Sequence, residues 1–342
     1  MSEPKNKPKR HLIYEMFNPK GNGKGLTKEE ANKPKTAGRF PRYFFNNFNL
    51  MFALNIFFFL GNFPMLFGLF ALTGNLDIHT TSPVSSLFSV VYGAVKLDGY
   101  NPVSLALMGV HGAQTEVSMP TTATWVFFGL TALMFFTFGI VNVCTAYMMR
   151  NLVKGEPVAF IQDIKYCIKR NWKQGLIVGI IDLALLLLIV YDVLFFFAMS
   201  ANAIGSFLFG MMVIIGFMYM MMRPYIYIMT VTFDLSVFKI LKNAFIFTLV
   251  GFKRNIVALL ASVAVWIIDY LIMMVIFPVG IILPVLFLIS LTTFMGIYAA
   301  YPKIKEIMID PYYVSDDVGA KSRDDMTATE ELIEEPIFKD RG

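Results

Sequence analysis

Two carboxylates in otherwise apolar stretches are the first residues here that could do chemistry. Asp182 lies in GLIVGIIDLALLLLIV and Asp269 in ALLASVAVWIIDYLIMMV. A carboxyl group inside an apolar helix can carry a proton or line a polar path. It can equally stay protonated and hydrogen-bond across a helix interface. Asn142, in GIVNVCTAYMMR, is a third polar group in such a stretch and joins them as a candidate intramembrane polar site. Asp182 follows Asn171 by 11 residues, roughly 16 Å of helix, and Asp269 follows Asn255 by 14, roughly 21 Å. In a hydrocarbon core about 30 Å thick, both fall in the interior. The sequence predicts no Lys or Arg deep enough in a span to pair with either.

Other chemistry is sparse. There are two cysteines and three histidines, and no Cys/His spacing suggests a metal site. Cys144 falls within a span and Cys167 on a helix outside the membrane, so no disulfide is expected between them. His79 and His111 make at best a weak metal pair. The chain lacks a P-loop and a nucleophile constellation, so the expectation is a non-enzyme without cofactor or metal. Nothing suggests a nucleic-acid partner.

The elements that would position the carboxylates are membrane helices. Of 342 residues 56% are apolar, with 34 Phe, and long stretches carry almost no charge. Such runs read as spans. The sequence predicts an all-α bundle of six transmembrane helices. The first covers about 46–73, kinked at Pro64, with Asn55 and Asn62 meeting another helix. The second covers 123–149, the third 174–200, and the fourth 203–222, continuing past Arg223-Pro224 to about Phe233. The fifth covers 256–277; a tight turn over Pro278–Pro284 leads to the sixth, which closes near Tyr301.

Two basic amphipathic helices interrupt the series. Over 157–173, Phe160, Ile164, Cys167, Ile168 and Trp172 recur at helical spacing, with Lys165, Lys169, Arg170 and Lys173 between them. Over 235–252, Phe238, Leu241, Phe245, Leu249 and Phe252 take one side and Lys239, Lys242 and Asn243 the other, with Asp234 or Ser236 as cap. These helices are candidate contact surfaces for a partner protein, or interfacial anchors for the spans. The first segment ends in KRN and leads to IID; the second ends in KRN 84 residues later and also leads to IID. YMMR at 147–150 likewise returns as YMMMR at 219–223. Span, amphipathic helix, span is thus a partial parallel internal repeat.

Charge sets an expected orientation. Residues 1–42 hold 11 Lys/Arg against 4 Asp/Glu, and residues 303–342 hold 6 against 11. Between them, 11 of 12 Lys/Arg fall in 150–173 and 223–254. The positive-inside tendency then places both termini and both amphipathic helices in the cytoplasm of a cell-membrane protein. The head at 1–42 is a topogenic signal or a polybasic patch on anionic lipid, and head and tail are both expected to be disordered. The six-span domain is 43–302. Its loop 74–121 lies outside the cell, with short helices over 84–95 and 103–110.

The stretches GIVNVCTAYMMRNLVKGEP, FIQDIKYCIKRNWKQGLIVGIID and YIYIMTVTFDLSVFKILKNA resemble the YesL family of bacterial integral membrane proteins, a domain of unknown function. The likeness covers most of residues 40–300. The long head and the 74–121 loop depart from the shorter members. The resemblance implies an accessory role in carbohydrate uptake, with carbohydrate transporter subunits as partners besides the lipid bilayer. It brings no catalytic residues. The alternative from the residues themselves is a stand-alone transporter or channel using Asp182 and Asp269.

Overall fold

The computed structural model describes residues 35–99, 101–311 and 338–339. The basic head up to residue 34 and most of the acidic tail lie outside the described residues. Among the described residues, five helical stretches are long and apolar enough to cross a membrane: Thr122–Lys154, Phe160–Ala198, Ala203–Thr232, Phe252–Val275 and Phe277–Ile309. A bent pair, Ala37–Asn46 with Phe48–Gly61, brings the number to six if it is counted as one broken span. The protein is an all-α multi-pass membrane protein, as the hydropathy pattern requires. Contacts divide it after Asn62 and again after Met134.

Residues 63–134 form one unit. Its elements are best numbered after the two helices that precede them, α1 (Phe40–Asn46) and α2 (Phe48–Gly61). They are α3 (Met65–Leu72), β1 (Ile78–Pro83), α4 (Phe88–Asp98), α5 (Pro102–His111), β2 (Gln114–Met119) and α6 (Thr122–Thr131). The two expected short helices are α4 and α5. The antiparallel ladder that brackets them, with Ile78 opposite Met119 and Pro83 opposite Gln114, was not foreseen. Its strands, IHTTSP and QTEVSM, are largely exposed and carry no apolar alternation to betray them. Asp77 accepts from Ser118 Oγ (2.8 Å) and Thr124 Oγ1 (2.7 Å), tying strand to helix. Those donors hold its carboxyl below the usual carboxylate range. His79 lies 3.1 Å from the Gly74 carbonyl and His111 lies 3.0 Å from Ser85 Oγ. In this unit α3 and α6 pack side by side, with Phe67 edge-on to Phe127.

The other unit holds α1, α2 and the rest of the chain. Its further helices are α7 (Met134–Lys154), α8 (Phe160–Ala198), α9 (Ala203–Thr232), α10 (Val237–Val250), α11 (Phe252–Val275), α12 (Phe277–Leu283) and α13 (Ile289–Ile304). Between α9 and α10, β3 (Phe233–Asp234) pairs in parallel with β4 (Phe338–Lys339). Fully buried Met51, Leu54, Met148, Tyr225, Met229, Ile240, Phe294 and Ile304 form its core. Without a hydrophobic drive between helices in lipid, close backbone approach must help. Gly139 of α7 faces Gly175 and Gly179 of α8. A Cβ on Gly139 would sit 2.6 Å from the Gly179 Cα and 2.9 Å from its nitrogen.

Several expectations are corrected here. The first span is not one kinked helix: α1 and α2 meet at 79°, and α2 stops at Gly61. Pro64, which has no N–H to donate, stands at the start of α3 instead. The segment 157–173 is not a separate amphipathic helix but the first turns of the 39-residue α8, because no breaker separates Trp172 from Gly175. In the second copy a true break occurs at Gly251. There the Asn255 side chain donates to the Thr248 carbonyl (3.1 Å), one of the last of α10. Ser236 caps α10 as anticipated, accepting from Lys239 N. The tight turn expected over Pro278–Pro284 is instead α12 followed by a π-helical turn, Pro284–Leu288. The tail is helical as far as residue 311 rather than irregular from 303.

Asn55 explains how that π-helical turn survives in an apolar setting. Its Nδ2 donates to the carbonyls of Pro284 (2.8 Å) and Val285 (2.6 Å). Its Oδ1 accepts from Ser290 N at 2.8 Å. The side chain is wholly buried, so it satisfies backbone groups that lipid would leave bare. Asn62 behaves otherwise: it bonds back to Phe58 of its own helix, and its Oδ1 has no partner among the described residues.

Candidate functional site

Asp182 is 1% exposed and lies where α8 meets α9. It is not alone. Arg223 donates to it in a forked arrangement, Nε to Oδ1 at 2.9 Å and Nη2 to Oδ2 at 2.9 Å. The Tyr219 hydroxyl donates to Oδ1 at 2.7 Å, and the Tyr227 hydroxyl donates to Oδ2. This overturns the expectation that no basic residue lies deep enough to pair. In the orientation count Arg223 groups with the basic residues of 223–254, yet α9 runs through Pro224 for two more turns, as expected, and carries Arg223 into the bundle. Arg223 stands nine residues before Thr232, and Asp182 stands 11 beyond Asn171, so the two reach similar depth on neighbouring helices. A signal was present: Tyr219, Arg223 and Tyr227 recur at four-residue spacing, one face of one helix.

Forked geometry and two further donors satisfy the carboxylate's acceptor capacity. Such a pair is tolerated in an apolar interior when the geometry is good and further hydrogen bonds share the load, as those of Tyr219 and Tyr227 do for Asp182. Arg223 is the less enclosed partner, its side chain 24% exposed against 1% for Asp182. Its guanidinium lies 5.8 Å from the Phe138 ring centroid and 5.9 Å from that of Tyr227. Nε and Nη2 are committed to Asp182, while Nη1 makes no hydrogen bond among the described residues.

The exposed side of Arg223 faces a half-enclosed cavity of about 490 Å³, bounded by α2, α7, α8, α9, α11 and α13. Its lining is mostly apolar, with Phe58, Phe138 and Leu186 among the walls. Asn142 also lines it, and its Nδ2 donates to the Phe138 carbonyl at 2.8 Å. Asp182 does not line it, lying behind Arg223, and neither does Asp269. That residue is 7% exposed, and its Oδ1 has no hydrogen-bond partner among the described residues. The two repeat carboxylates are therefore not equivalent: Asp182 is saturated and held behind Arg223 of the cavity wall, whereas Asp269 has one oxygen without a partner among the described residues.

The repeated motifs diverge in the same way. Arg150, in the first YMMR, donates from Nη1 to the Val231 carbonyl and Thr232 Oγ1, both at 3.2 Å, and so caps α9. Arg223, its counterpart, serves Asp182. Cys144 and Cys167, expected to form no disulfide, are both buried free thiols that lie near each other. The crossing of α7 and α8 through their glycines brings them together.

The candidate contact helices present charge outward. Lys165, Lys169 and Trp172 on α8 are exposed. Arg170 is half-buried and donates to the Tyr166 hydroxyl at 2.9 Å. On α10, Lys239 and Lys242 are exposed and Asn243 is half-buried. The side that packs inward is Ile240, Ala244 and Phe247, not the row Phe238, Phe245, Leu249 and Phe252, whose members stay exposed. Aromatic side chains beside lysines on an uncovered face suit the boundary between hydrocarbon and headgroups.

No protein family's sequence profile, no curated protein and no solved structure matches the chain.

Proposed function

We propose that this multi-pass membrane protein binds a small molecule inside the membrane and passes it across, using the cavity beside Arg223. The cavity carries the reading: about 490 Å³ among six helices, with Arg223, neutralised from behind by Asp182, on its wall. An Arg–Asp pair costs too much in a membrane to be mere filler, and such groups mark substrate pathways. The pathway runs past Asp182 and leaves Asp269 aside, which narrows the two-carboxylate path expected from the sequence. Ala258, on the cavity wall, gives a direct test. Wild-type protein extracted from native membranes should carry a stoichiometric small molecule by mass spectrometry, and Ala258→Phe, which fills the space, should lose it. Equal small-molecule content in both proteins would sink the reading.

A second reading rests on the exposed basic faces. Lys165, Lys169, Lys239 and Lys242 lie on uncovered helices beside Trp172 and Phe238. Together with the resemblance to the YesL family, they support a cytoplasmic contact surface for subunits of a carbohydrate transporter in the cell membrane. Both termini would then lie inside. Reversal of the four lysines to Glu should abolish co-purification of permease subunits from native membranes while the protein stays folded. Unchanged recovery would exclude the contact.

A further inference from the structure

We infer that the cavity takes an uncharged, hydroxyl-bearing amphiphile that enters sideways from the bilayer, an inference that rests on the ligand-binding reading above. Three observations converge. The first is charge. Asp182 already neutralises Arg223, and its oxygens are filled by Arg223, Tyr219 and Tyr227. A ligand bearing a full charge would leave that charge unpaired in the membrane interior, so the site selects against anions and cations alike.

The second is the hydrogen-bonding character of the wall. Ser262, Thr292 and Thr293 line the cavity, and each spends its hydroxyl proton on a carbonyl of its own helix, at 2.8, 3.1 and 2.8 Å. They therefore offer the cavity lone pairs. Asn142 likewise spends an amide proton on the Phe138 carbonyl. Arg223 Nη1 supplies a donor. Acceptors along the wall, with donors at Arg223, Asn142 and Trp266, match groups that both donate and accept, which is what hydroxyls do.

The third is the mouth. Phe217 and Met220 on α9 and Trp266 on α11 belong to the lining yet are 45%, 39% and 41% exposed. Phe217 is the fifteenth residue of a 30-residue helix, and Trp266 is the fifteenth of 24. An opening rimmed by mid-span aromatic and Met side chains faces hydrocarbon, not water. A water-borne solute would have to cross that rim, whereas a molecule already dissolved in the bilayer meets it edge-on. The head would sit at Arg223, Asn142 and Thr293, and the apolar body against Phe138 and Phe217.

The test uses the full-length protein in nanodiscs with three diazirine photoprobes of equal chain length: an alkylglycerol, a fatty acid and an alkylamine. A soluble glycoside is the competitor. The alkylglycerol should label Phe217, Met220 or Trp266 saturably and at least about tenfold better than either charged probe, without competition from the glycoside. Ala258→Phe should remove that labelling. Asp182→Asn leaves Arg223 as an unpaired cation and should shift preference toward the fatty acid. Should that variant not fold, Thr293→Val, which removes one acceptor, should weaken alkylglycerol labelling alone. Preferential labelling by a charged probe, or displacement by the glycoside, overturns the ligand class while leaving a cavity that binds. Absence of saturable cavity labelling by every probe, with no displacement by the glycoside and no molecule in the native extract, overturns both readings.

Discussion

Substitution of Asp182 by Asn removes the charge and keeps the shape. The two tyrosine hydroxyls could still donate to the amide oxygen, but Arg223 would lose its counter-ion. Removing one partner of a buried pair costs roughly 3–5 kcal/mol, because the other charge is left uncompensated. Arg223 retains 24% exposure toward the cavity and can turn to the hydroxyl acceptors that line it, so the cost should fall near the lower figure, about 3 kcal/mol. Arg223→Gln should be worse, about 4–5 kcal/mol, since Asp182 at 1% exposure has no such relief. The double substitution leaves two neutral amides that can bond to each other and should cost less than either single change. The assay is reversible denaturation in mixed micelles, followed by the fluorescence of Trp266 in a Trp125→Phe, Trp172→Phe background. A double variant whose cost equals the sum of the two singles would refute the pairing, since uncoupled residues add.

Other consequences can be checked in the same micelles. Gly139→Leu should separate α7 from α8, because its Cβ would fall 2.6 Å from the Gly179 Cα; a loss of about 1–3 kcal/mol is expected, and no loss would refute the close crossing. Asn55→Leu strips two carbonyls and one N–H of their partner, so roughly 3 kcal/mol should be lost; hydrogen exchange should rise at Ser290, and unchanged protection there would refute the bonding. Lys35, beside Tyr43, has its ammonium pushed down to about 8 by burial and by the charges of Lys305 and Arg39. The unfolded chain then holds a proton that the folded chain has released between pH 8 and the ordinary 10.5, so stability should rise with pH in that window. Lys35→Met should flatten that rise, and an unchanged slope would assign it to other groups.

What could be read from the sequence follows from which forces act locally. Span positions, the run of α9 through Pro224 and the Ser236 cap depend on neighbours in the chain, and the residues state them openly. The partner of Asp182 depends on which faces of two helices meet 41 residues apart. Composition could only mark Arg223 as a charge near a proline, although the four-residue spacing of Tyr219, Arg223 and Tyr227 held the clue. Which side of α10 turns inward was not legible for a related reason. In water the row of Phe238, Phe245 and Leu249 would turn to the core, but beside a membrane an apolar row can face lipid while smaller Ala244 lets helices approach. The hairpin around α4 and α5 was hidden because its stability comes from polar side chains such as Asp77, not from an apolar pattern.

The continuity of α8 has a mechanical consequence. At 39 residues it is roughly 58 Å long, nearly twice the thickness of a hydrocarbon core of about 30 Å. Asp182 sits near its middle, and Lys165 lies 17 residues away, about 25 Å along a single rod. A tilt of about 10° pivoting at the ion pair would swing Lys165 through about 4 Å. The break at Gly251 denies α10 and α11 the same stiffness. Any tilt of α8 about the ion pair would therefore carry the exposed Lys165 with it, whereas α10 can turn without α11.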